Sequence, residues 1–344
     1  MKFALDATYS VGDHLSGVGV YSREILYGLA AMPEARDARW LWCYRPHRFL
    51  RSVRESLPRG CSRRLLRNHS PRAALFHGLN QRLPGGRLPR AVATFHDLFV
   101  LTGDYSSPDF RRRFAAQARE AASRADLVIA VSEFTASQVE GLLHVPRSRI
   151  RVVAHGVRTL RNAPDKAPER VVLSVGALQK RKNTARLVEA FEGLPGGWKL
   201  VLAGSSGYGA EEALRRVEQS PRRADIEVTG YVDDQELARQ YARASLFAFP
   251  SLDEGFGMPV LDAMARGVPV VASNRSALRE VCGDAALLVN PEEVDEIRQS
   301  MKRLMEEEPL REELIAKGKQ RAAQFRWEEA VRKTWQVYQE LTGA

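Results

Sequence analysis

The stretch that most constrains the fold of this chain is residues 250–271, PSLDEGFGMPVLDAMARGVPVV. The apolar run SLFAFP ends at Pro250 and is typical of a buried strand. A glycine-flanked aromatic and a proline then precede a run with helical periodicity, and Gly267 is well placed to end that helix before VPVVAS. The pattern predicts a strand–loop–helix–strand unit. Its loop presents backbone N–H groups at a helix N-terminus, a geometry that binds anions.

Two carboxylates stand in this stretch, Glu254 before the predicted helix and Asp262 inside it, eight positions apart. This spacing lets both face one ligand, although many parallel-sheet proteins carry such a loop without a ligand. The full string is more specific, because it resembles the EGFGLPxLEAMAxGxPV signature of retaining, nucleotide-sugar-dependent glycosyltransferases of family 4. The family usually has Glu where this chain has Asp262. Because the Asp262 side chain is shorter by one methylene, its contact with the ligand is expected to be longer, bridged by water or replaced by another residue.

The resemblance implies the GT-B fold, an α/β architecture of two Rossmann-like, doubly wound domains facing across a cleft. A length of 344 residues suits two domains, and apolar runs alternate with helical segments in both halves. We expect an acceptor-side domain over residues 1–160, completed by a crossover helix over residues 328–344. The nucleotide-sugar domain is expected over residues 161–327, with the proline-bearing segment 158–170 as linker.

The start of the chain reads as a first strand, KFALDATY, followed by a glycine-bearing loop and a helix. Its SGVGVY string resembles the SGIGRY loop of the same family, which implies that Gly17, Val18 and Gly19 approach a phosphate. A tight turn that requires glycine is the simpler interpretation of the string alone. A later strand ends at His96, in a pattern that resembles the family's histidine at the donor sugar. Parallel strands bind ligands at their carboxyl ends, which favours that role over a structural one.

Three consecutive cations, Lys180, Arg181 and Lys182, follow the predicted strand VVLSVG. Cations at the carboxyl end of a strand can neutralise a diphosphate, although a solvated basic turn has the same composition. The string resembles the family's G-x-L-x-P-R-K-N variant, whose Arg and Lys hold the donor diphosphate. Lys180 replaces the usual proline, and Ala177 stands where other members carry Arg. The resemblance therefore assigns the diphosphate to Arg181 and Lys182.

The implied reaction transfers a hexose from a nucleoside diphosphate sugar to an acceptor hydroxyl, and preorganised cations and N–H dipoles would stabilise the departing diphosphate. By resemblance, Glu254 holds sugar hydroxyls and Asp262 holds ribose hydroxyls. The other binding residues implied are Tyr231 and Val232 at the base, and the N–H groups of Phe256, Gly257 and Met258 at the diphosphate. The absence of a clear base suits a front-face mechanism. The absence of a DxD string suits a metal-independent enzyme, in which Asp233 and Asp234 cap a helix.

The motifs look most like those of bacterial mannosyl- or rhamnosyl-type transferases of surface polysaccharides, with GDP-mannose the first choice of donor and a UDP-sugar the second. The acceptor would be a glycan or a lipid-diphosphate-linked glycan. A scaffold that binds the nucleotide sugar without catalysis is the alternative, and the change to Asp262 keeps it open. A dinucleotide-dependent oxidoreductase is disfavoured because no third glycine follows Gly19. A sugar-nucleotide epimerase would lack the EGFGMP loop.

The formal net charge of +10 is concentrated between Arg36 and Arg72, where eleven arginines face only Asp37 and Glu55. Such a cluster binds acidic lipid, a phosphorylated acceptor or nucleic acid, or is a solvated face. Its aromatic residues lie in a strand-like run, so nucleic acid is not expected. No apolar run spans a membrane, and three scattered cysteines favour a reducing compartment. We therefore expect a cytoplasmic protein attached to the inner face of the cell membrane through this segment.

Overall fold

The computed structural model describes residues 1–67, 71–158, 160 and 168–343. The described chain forms two compact units. Unit 1 contains residues 1–101, 109–156 and 326–344, and unit 2 contains residues 102–108 and 157–325. Each unit is built around one parallel sheet with helices, which confirms the predicted α/β class of two Rossmann-like domains. Most of the predicted linker, residues 159 and 161–167, lies outside the described residues.

The sheet of unit 1 has seven parallel strands in the order β3-β2-β1-β4-β5-β6-β7. The strands are β1 (Lys2–Asp6), β2 (Arg39–Tyr44), β3 (Cys61–Leu65), β4 (Leu75–Gly78), β5 (Ala91–Phe95), β6 (Leu127–Ala130) and β7 (Ile150–Val152). The central strands are buried on both faces, which explains why they read as continuous apolar runs. The chain order reverses between β1 and β4, and the carboxyl ends at such a point form a crevice.

Five helices accompany these strands. They are α1 (Gly17–Ala31), α2 (Pro46–Ser52), α3 (Phe99–Thr102), α4 (Pro108–Arg124) and α5 (Glu133–Leu143). Ser132 is the N-cap of α5, and its Oγ accepts a hydrogen bond from the Thr135 N–H at 3.0 Å. Within the arginine-rich segment the strand-like aromatic run forms β2, whereas α2 and β3, which follow it, were not predicted. The edge strand β3 has no fully buried residue: Ser62 and Arg64 are exposed, and Cys61, Arg63 and Leu65 are half-buried, so it lacks an apolar run.

The sheet of unit 2 has six parallel strands in the order β10-β9-β8-β11-β12-β13. The strands are β8 (Val171–Val175), β9 (Lys199–Ala203), β10 (Ile226–Gly230), β11 (Leu246–Phe249), β12 (Val270–Ser273) and β13 (Leu287–Val289). The helices are α6 (Thr184–Glu192), α7 (Ala210–Glu218), α8 (Asp234–Arg243), α9 (Met258–Ala265), α10 (Ser276–Cys282), α11 (Val294–Glu306) and α12 (Glu308–Ala322). The order reverses between β8 and β11, so their carboxyl ends mark the crevice of this sheet.

The organising stretch folds as predicted, with β11, a loop, α9 and β12 in succession. Gly267 follows the last turn of α9 with φ +71°, a left-handed conformation that favours glycine. Asp233 caps α8 as expected, since its side chain accepts a hydrogen bond from the Glu236 N–H at 2.8 Å. Among the described residues, no helix has the length and apolar character needed to cross a bilayer.

The last helix, α13 (Trp327–Thr342), belongs to unit 1. Its aromatic face enters the core beside the first strand: the ring centroids of Trp335 and Tyr338 lie 5.4 and 5.6 Å from that of Phe3. Against α1 the approach is close, because a Cβ added at Gly28 would lie 2.3 Å from Val331 Cγ2. The helix therefore forms part of the core of unit 1.

Candidate active site

Two predicted diphosphate ligands, Arg181 and Lys182, lie on a 3₁₀ turn, Lys180–Lys182, after β8. Lys182 passes close to Gly176, where an added Cβ would meet its Cε at 3.2 Å. Its Nζ lies 4.4 Å from the centroid of the Phe249 ring, at the end of β11, which is a cation–π distance. The turn therefore directs this ammonium group to the point where the strand order reverses.

Glu254 joins the two cations. Its Oε2 lies 2.8 Å from Arg181 Nη1, and its Oε1 lies 2.6 Å from Lys182 Nζ. Burial by itself would raise the pKa of this carboxyl, but Arg181 and Lys182 outweigh burial and lower it to about 2. At neutral pH the group is a carboxylate that can only accept hydrogen bonds, and the three side chains together carry one net positive charge.

The loops after β8 and β11 are held together by further hydrogen bonds. Arg181 O accepts from the Leu252 N–H at 2.8 Å. Asn183, in a left-handed conformation with φ +58°, donates from Nδ2 to the carbonyls of Pro250 and Pro291 at 3.0 and 2.6 Å. These bonds fix the carboxylate and its cations on rigid loops, which favours a preorganised site.

The first turn of α9 has no side-chain cap. Gly257, its N-cap, has φ +113°, and an added Cβ would lie 2.6 Å from Leu278 Cδ2. Glycine is therefore required there on both conformational and steric grounds. The Phe256 ring is buried and meets the Phe325 ring edge-on, with a centroid distance of 5.7 Å. Only backbone N–H groups from this loop, including that of Met258, are thus suited to hold an anion.

Asp262 is buried inside α9, and its Oδ1 accepts a hydrogen bond from the Arg158 N–H at 3.0 Å. Burial raises the pKa of this carboxyl to about 6, while Arg266 and Arg158 act in the opposite direction. The Arg266 guanidinium spans the same two residues by donating to the carbonyls of Asp262 and Arg158. In this structure the side chain positions the segment at the start of unit 2, and its contact with ribose stays a prediction.

The predicted base-binding residues, Tyr231 and Val232, follow β10. That strand is the edge of the sheet and is separated from β8 by β9. Tyr231 is 40% exposed, so its ring is accessible for stacking. The role of these two residues at the base stays a prediction.

Two polar residues beside Glu254 were not predicted as site residues. Asp253 is buried and accepts a hydrogen bond at Oδ2 from Thr102 Oγ1 at 2.8 Å. Burial raises the pKa of this carboxyl, and the bond to Thr102 opposes the rise. Ser276, at φ +54°, accepts a hydrogen bond at Oγ from the Glu254 N–H at 3.0 Å. Asp253 was visible as the acid next to Glu254, whereas Thr102 and Ser276 had no signal in the sequence.

In unit 1, the loop at Gly17, Val18 and Gly19 forms the first turn of α1. Ser16 caps this turn and accepts a hydrogen bond from the Gly19 N–H at 3.3 Å. An added Cβ at Gly19 would lie 2.8 Å from the Tyr9 carbonyl oxygen, so the close approach of two backbone segments requires glycine there. The Gly17 and Val18 N–H groups are the ones suited to a phosphate.

His96 lies at the carboxyl end of β5 and is buried beside Tyr21 and His155. Its Nε2 lies 2.9 Å from the Leu79 carbonyl oxygen, which fixes the proton on Nε2 and leaves Nδ1 as an acceptor. Burial lowers the pKa of the ring to about 4, and the Leu79 contact opposes this. A neutral imidazole of this kind can accept a hydrogen bond from a sugar hydroxyl.

The fold is that of solved GT-B glycosyltransferases. Sucrose-phosphate synthase from Thermosynechococcus elongatus superposes with a TM-score of 0.76 at 21% identity, covering 99% of both chains. WaaG, a glycosyltransferase of lipopolysaccharide biosynthesis, gives 0.73 at 15% identity and covers 100% of both. Anabaena HepE, solved with UDP-glucose, gives 0.73 at 18% identity and covers 100% of both.

Sequence comparison places both halves in known families. Residues 17–161 match Glycosyltransferase Family 4, and residues 158–321 match the Glycosyl transferases group 1 family. O-antigen chain mannosyltransferase B of Escherichia coli is 34% identical over 284 residues, 78% of this chain and 74% of that protein. Serotype-specific mannosyltransferase WbdA of E. coli is 29% identical over 71% of this chain, which spans 33% of that protein. The chain belongs to the group 1 and family 4 glycosyltransferases, and it is a glycosyltransferase enzyme.

Proposed function

We propose that this enzyme transfers mannose from GDP-mannose to a glycan or lipid-linked glycan, with retention of anomeric configuration. The observation that carries the proposal is the position of Glu254, ionised between Arg181 and Lys182, at the carboxyl ends of β8 and β11. The two E. coli relatives are named as mannosyltransferases, which supports mannose as the sugar. A UDP-sugar is the second choice of donor.

Charge explains how the cluster would act. As the bond between the anomeric carbon and the phosphate oxygen breaks, negative charge grows on the departing diphosphate. The net positive charge of the cluster and the N–H groups of Gly257 and Met258 would stabilise that charge without reorganisation. Glu254 would accept hydrogen bonds from sugar hydroxyls and hold the ring in place.

A front-face course accounts for retention. The acceptor oxygen bonds to the anomeric carbon on the face that the diphosphate leaves, and the acceptor's proton passes to the departing phosphate oxygen. His96 would accept a hydrogen bond from a donor hydroxyl at Nδ1, since Nε2 is already engaged by Leu79. The Gly17–Val18 N–H groups would contact the donor phosphate, and Tyr231 and Val232 the base.

A non-catalytic scaffold is the second candidate, favoured by one observation. Asp262, the residue assigned to ribose, already accepts a hydrogen bond from the Arg158 N–H within the protein. If donor binding does not displace that bond, the ribose lacks its carboxylate partner. Donor binding without product formation would identify the scaffold.

Attachment to an anionic membrane surface is a separate part of the proposal. On the edge strand β3 and just after it, Arg64 and Arg67 are exposed. Arg63 is only half-exposed and donates a hydrogen bond to the Glu55 carbonyl at 2.6 Å, so it also has a structural role. Charged side chains on an edge strand also discourage pairing with other chains, so attachment needs its own test. Arg64→Gln with Arg67→Gln should weaken binding to phosphatidylglycerol vesicles, and unchanged binding would exclude attachment through this strand.

The proposed function is tested by nucleotide binding followed by product analysis. GDP and GDP-mannose should raise the melting temperature more than UDP and UDP-sugars, because a ligand of the folded state stabilises it by mass action. Incubation of GDP-mannose with a glycan acceptor, with and without a chelator, should give an α-linked mannoside at equal rates. An inverted product would contradict retention, and a rate lost on chelation would contradict metal independence.

A further inference from the structure

Three arginines of unit 1 recur at intervals of three residues: Arg45, the N-cap residue of α2, and then Arg48 and Arg51. Side chains three apart on a helix are neighbours, so like charges at this spacing destabilise the helix in water. None of the described acidic side chains forms an ion pair with Arg48 or Arg51. A repeated cost of this kind, which no ion pair of Arg48 or Arg51 with a described acidic side chain offsets, points to an anion from outside the protein.

Arg48 and Arg51 converge on one point of the loop between β1 and α1. An added Cβ at Gly12 would lie 3.1 Å from Arg51 Nη1 and 3.5 Å from Arg48 Nη1. Gly12 also has φ +123°, a conformation that residues with a side chain rarely adopt. The absence of a side chain at Gly12 therefore allows two guanidinium groups to lie against the same stretch of backbone.

Arg45 adds a third guanidinium at the carboxyl ends of β1 and β2. Its Nη2 lies 3.2 Å from Asp6 Oδ2, and its side chain is 20% exposed. Its buried Nε and Nη2 atoms nevertheless make no hydrogen bond to any described residue. Asp6 is partly committed elsewhere, because its Oδ1 accepts from the Thr8 N–H at 3.1 Å. The ion pair with Asp6 therefore fixes this guanidinium beside the Gly12 loop, and a guanidinium can hold an anion through two N–H groups at once.

We propose that Arg45, Arg48 and Arg51 form a phosphate-binding site over Gly12, which holds a phosphate or diphosphate group of the acceptor substrate. This inference rests on the proposed transferase function. The site lies at the carboxyl edge of the unit 1 sheet, where Arg45 follows β2 and the Gly12 loop follows β1. A phosphate offsets the mutual repulsion of the Arg48 and Arg51 guanidinium groups, and its oxygens accept hydrogen bonds from their N–H groups.

The test uses inorganic pyrophosphate as the probe and the full chain as the protein. Arg48→Gln with Arg51→Gln removes the two convergent charges, and Arg36→Gln with Arg59→Gln removes two exposed charges of the same unit as a control. Pyrophosphate binding is measured by calorimetry. If a nucleoside diphosphate binds the protein, it is added at a saturating concentration so that the donor site is already filled. Pyrophosphate affinity should fall about tenfold or more in the first variant and remain unchanged in the control.

Kinetics and vesicles distinguish the sources of the phosphate. Arg48→Gln with Arg51→Gln should raise KM for an acceptor that carries a diphosphate. KM for the same glycan without phosphate should not change, and kcat should not change for either acceptor. Equal loss of pyrophosphate binding in both variants would show a diffuse positive field and overturn the site. Loss of binding to phosphatidylglycerol vesicles, with pyrophosphate binding intact, would also overturn it in favour of lipid headgroups. If no nucleoside diphosphate binds the wild type or either variant, the proposed donor is contradicted. The comparison of pyrophosphate affinities between the two variants still tests the phosphate site.

Discussion

Lys182 Nζ donates a hydrogen bond to Glu254 Oε1 across 2.6 Å, joining the loops that follow β8 and β11. Arg181 holds the other carboxylate oxygen at 2.8 Å. Arg181 and Glu254 are buried and Lys182 is partly buried, so the three charged groups lie together with one positive charge in excess. A dianionic diphosphate near this cluster would meet cations whose positions are already fixed.

Replacement of Lys182 by methionine should lower kcat by about a hundredfold or more, because one preorganised contact to developing charge is lost. Methionine keeps an unbranched apolar side chain at this position and removes the ammonium group that lies over the Phe249 ring. The matched control is Lys180→Met on the same turn, since Lys180 is exposed and lies 3.8 Å from Asp104. Initial rates with a saturating donor, and melting curves for both variants, provide the measurement. Similar rates in the two variants would remove Lys182 from the catalytic assignment.

The buried Asp262 should make stability depend on pH. Its pKa is raised by burial from 3.8 to about 6, so the folded state retains a proton that the unfolded state releases between these values. Stability must therefore fall as pH rises from about 4 to about 6, by up to roughly 3 kcal/mol. Asp262→Asn should remove that fall in urea unfolding, whereas Asp37→Asn, at a fully exposed carboxyl, should not. Parallel pH profiles for wild type and Asp262→Asn would contradict the raised pKa.

Tyr338→Phe should destabilise unit 1 by about 1–3 kcal/mol, because it leaves a buried histidine nitrogen without its partner. The Tyr338 hydroxyl lies 2.5 Å from His77 Nδ1, and His77 Nε2 lies 2.8 Å from Thr94 Oγ1. Tyr208→Phe, at a tyrosine that is 43% exposed, makes the same chemical change on the surface and should be neutral. Denaturant unfolding measures both. Equal stability of the two variants would show that water replaces the lost hydroxyl.

Gly28→Ala should destabilise the protein although alanine is the better helix former. An added Cβ would meet Val331 Cγ2 at 2.3 Å, and the branched side chain of valine cannot rotate away without cost. Val331→Ala should restore part of the loss, so the double variant should be more stable than the sum of the single effects. A double-mutant cycle in urea measures this coupling. Strict additivity would mean that α1 and α13 separate easily.

The sequence predicted the elements with continuous apolar runs, because those strands are buried on both faces. It did not predict β3 or α2, whose arginines suggested a solvated segment. An edge strand buries little, so its composition carries a weak signal. The fold class followed from local patterns, and these two elements depend on tertiary contacts.

In the candidate site, too, local motifs were predicted from the sequence and long-range contacts were not. Arg181, Lys182 and Glu254 were predicted from two motifs, and the structure brings them into direct contact. The Arg158–Asp262 hydrogen bond joins residues 104 positions apart, and neither residue type requires the other. Thr102, which contacts Asp253, belongs to a seven-residue segment that leaves unit 1 for unit 2. No local pattern encodes such an excursion.

The position of α13 has a consequence for the order of events during synthesis. Tyr338 completes the core around His77, yet the two residues are 261 positions apart. At ribosomal rates of roughly 5–20 residues per second, about ten to fifty seconds separate the synthesis of His77 from that of Tyr338. The whole of the second sheet is translated in that interval. The early chain therefore exposes an apolar groove, which a chaperone must cover or which closes only when translation reaches the final helix.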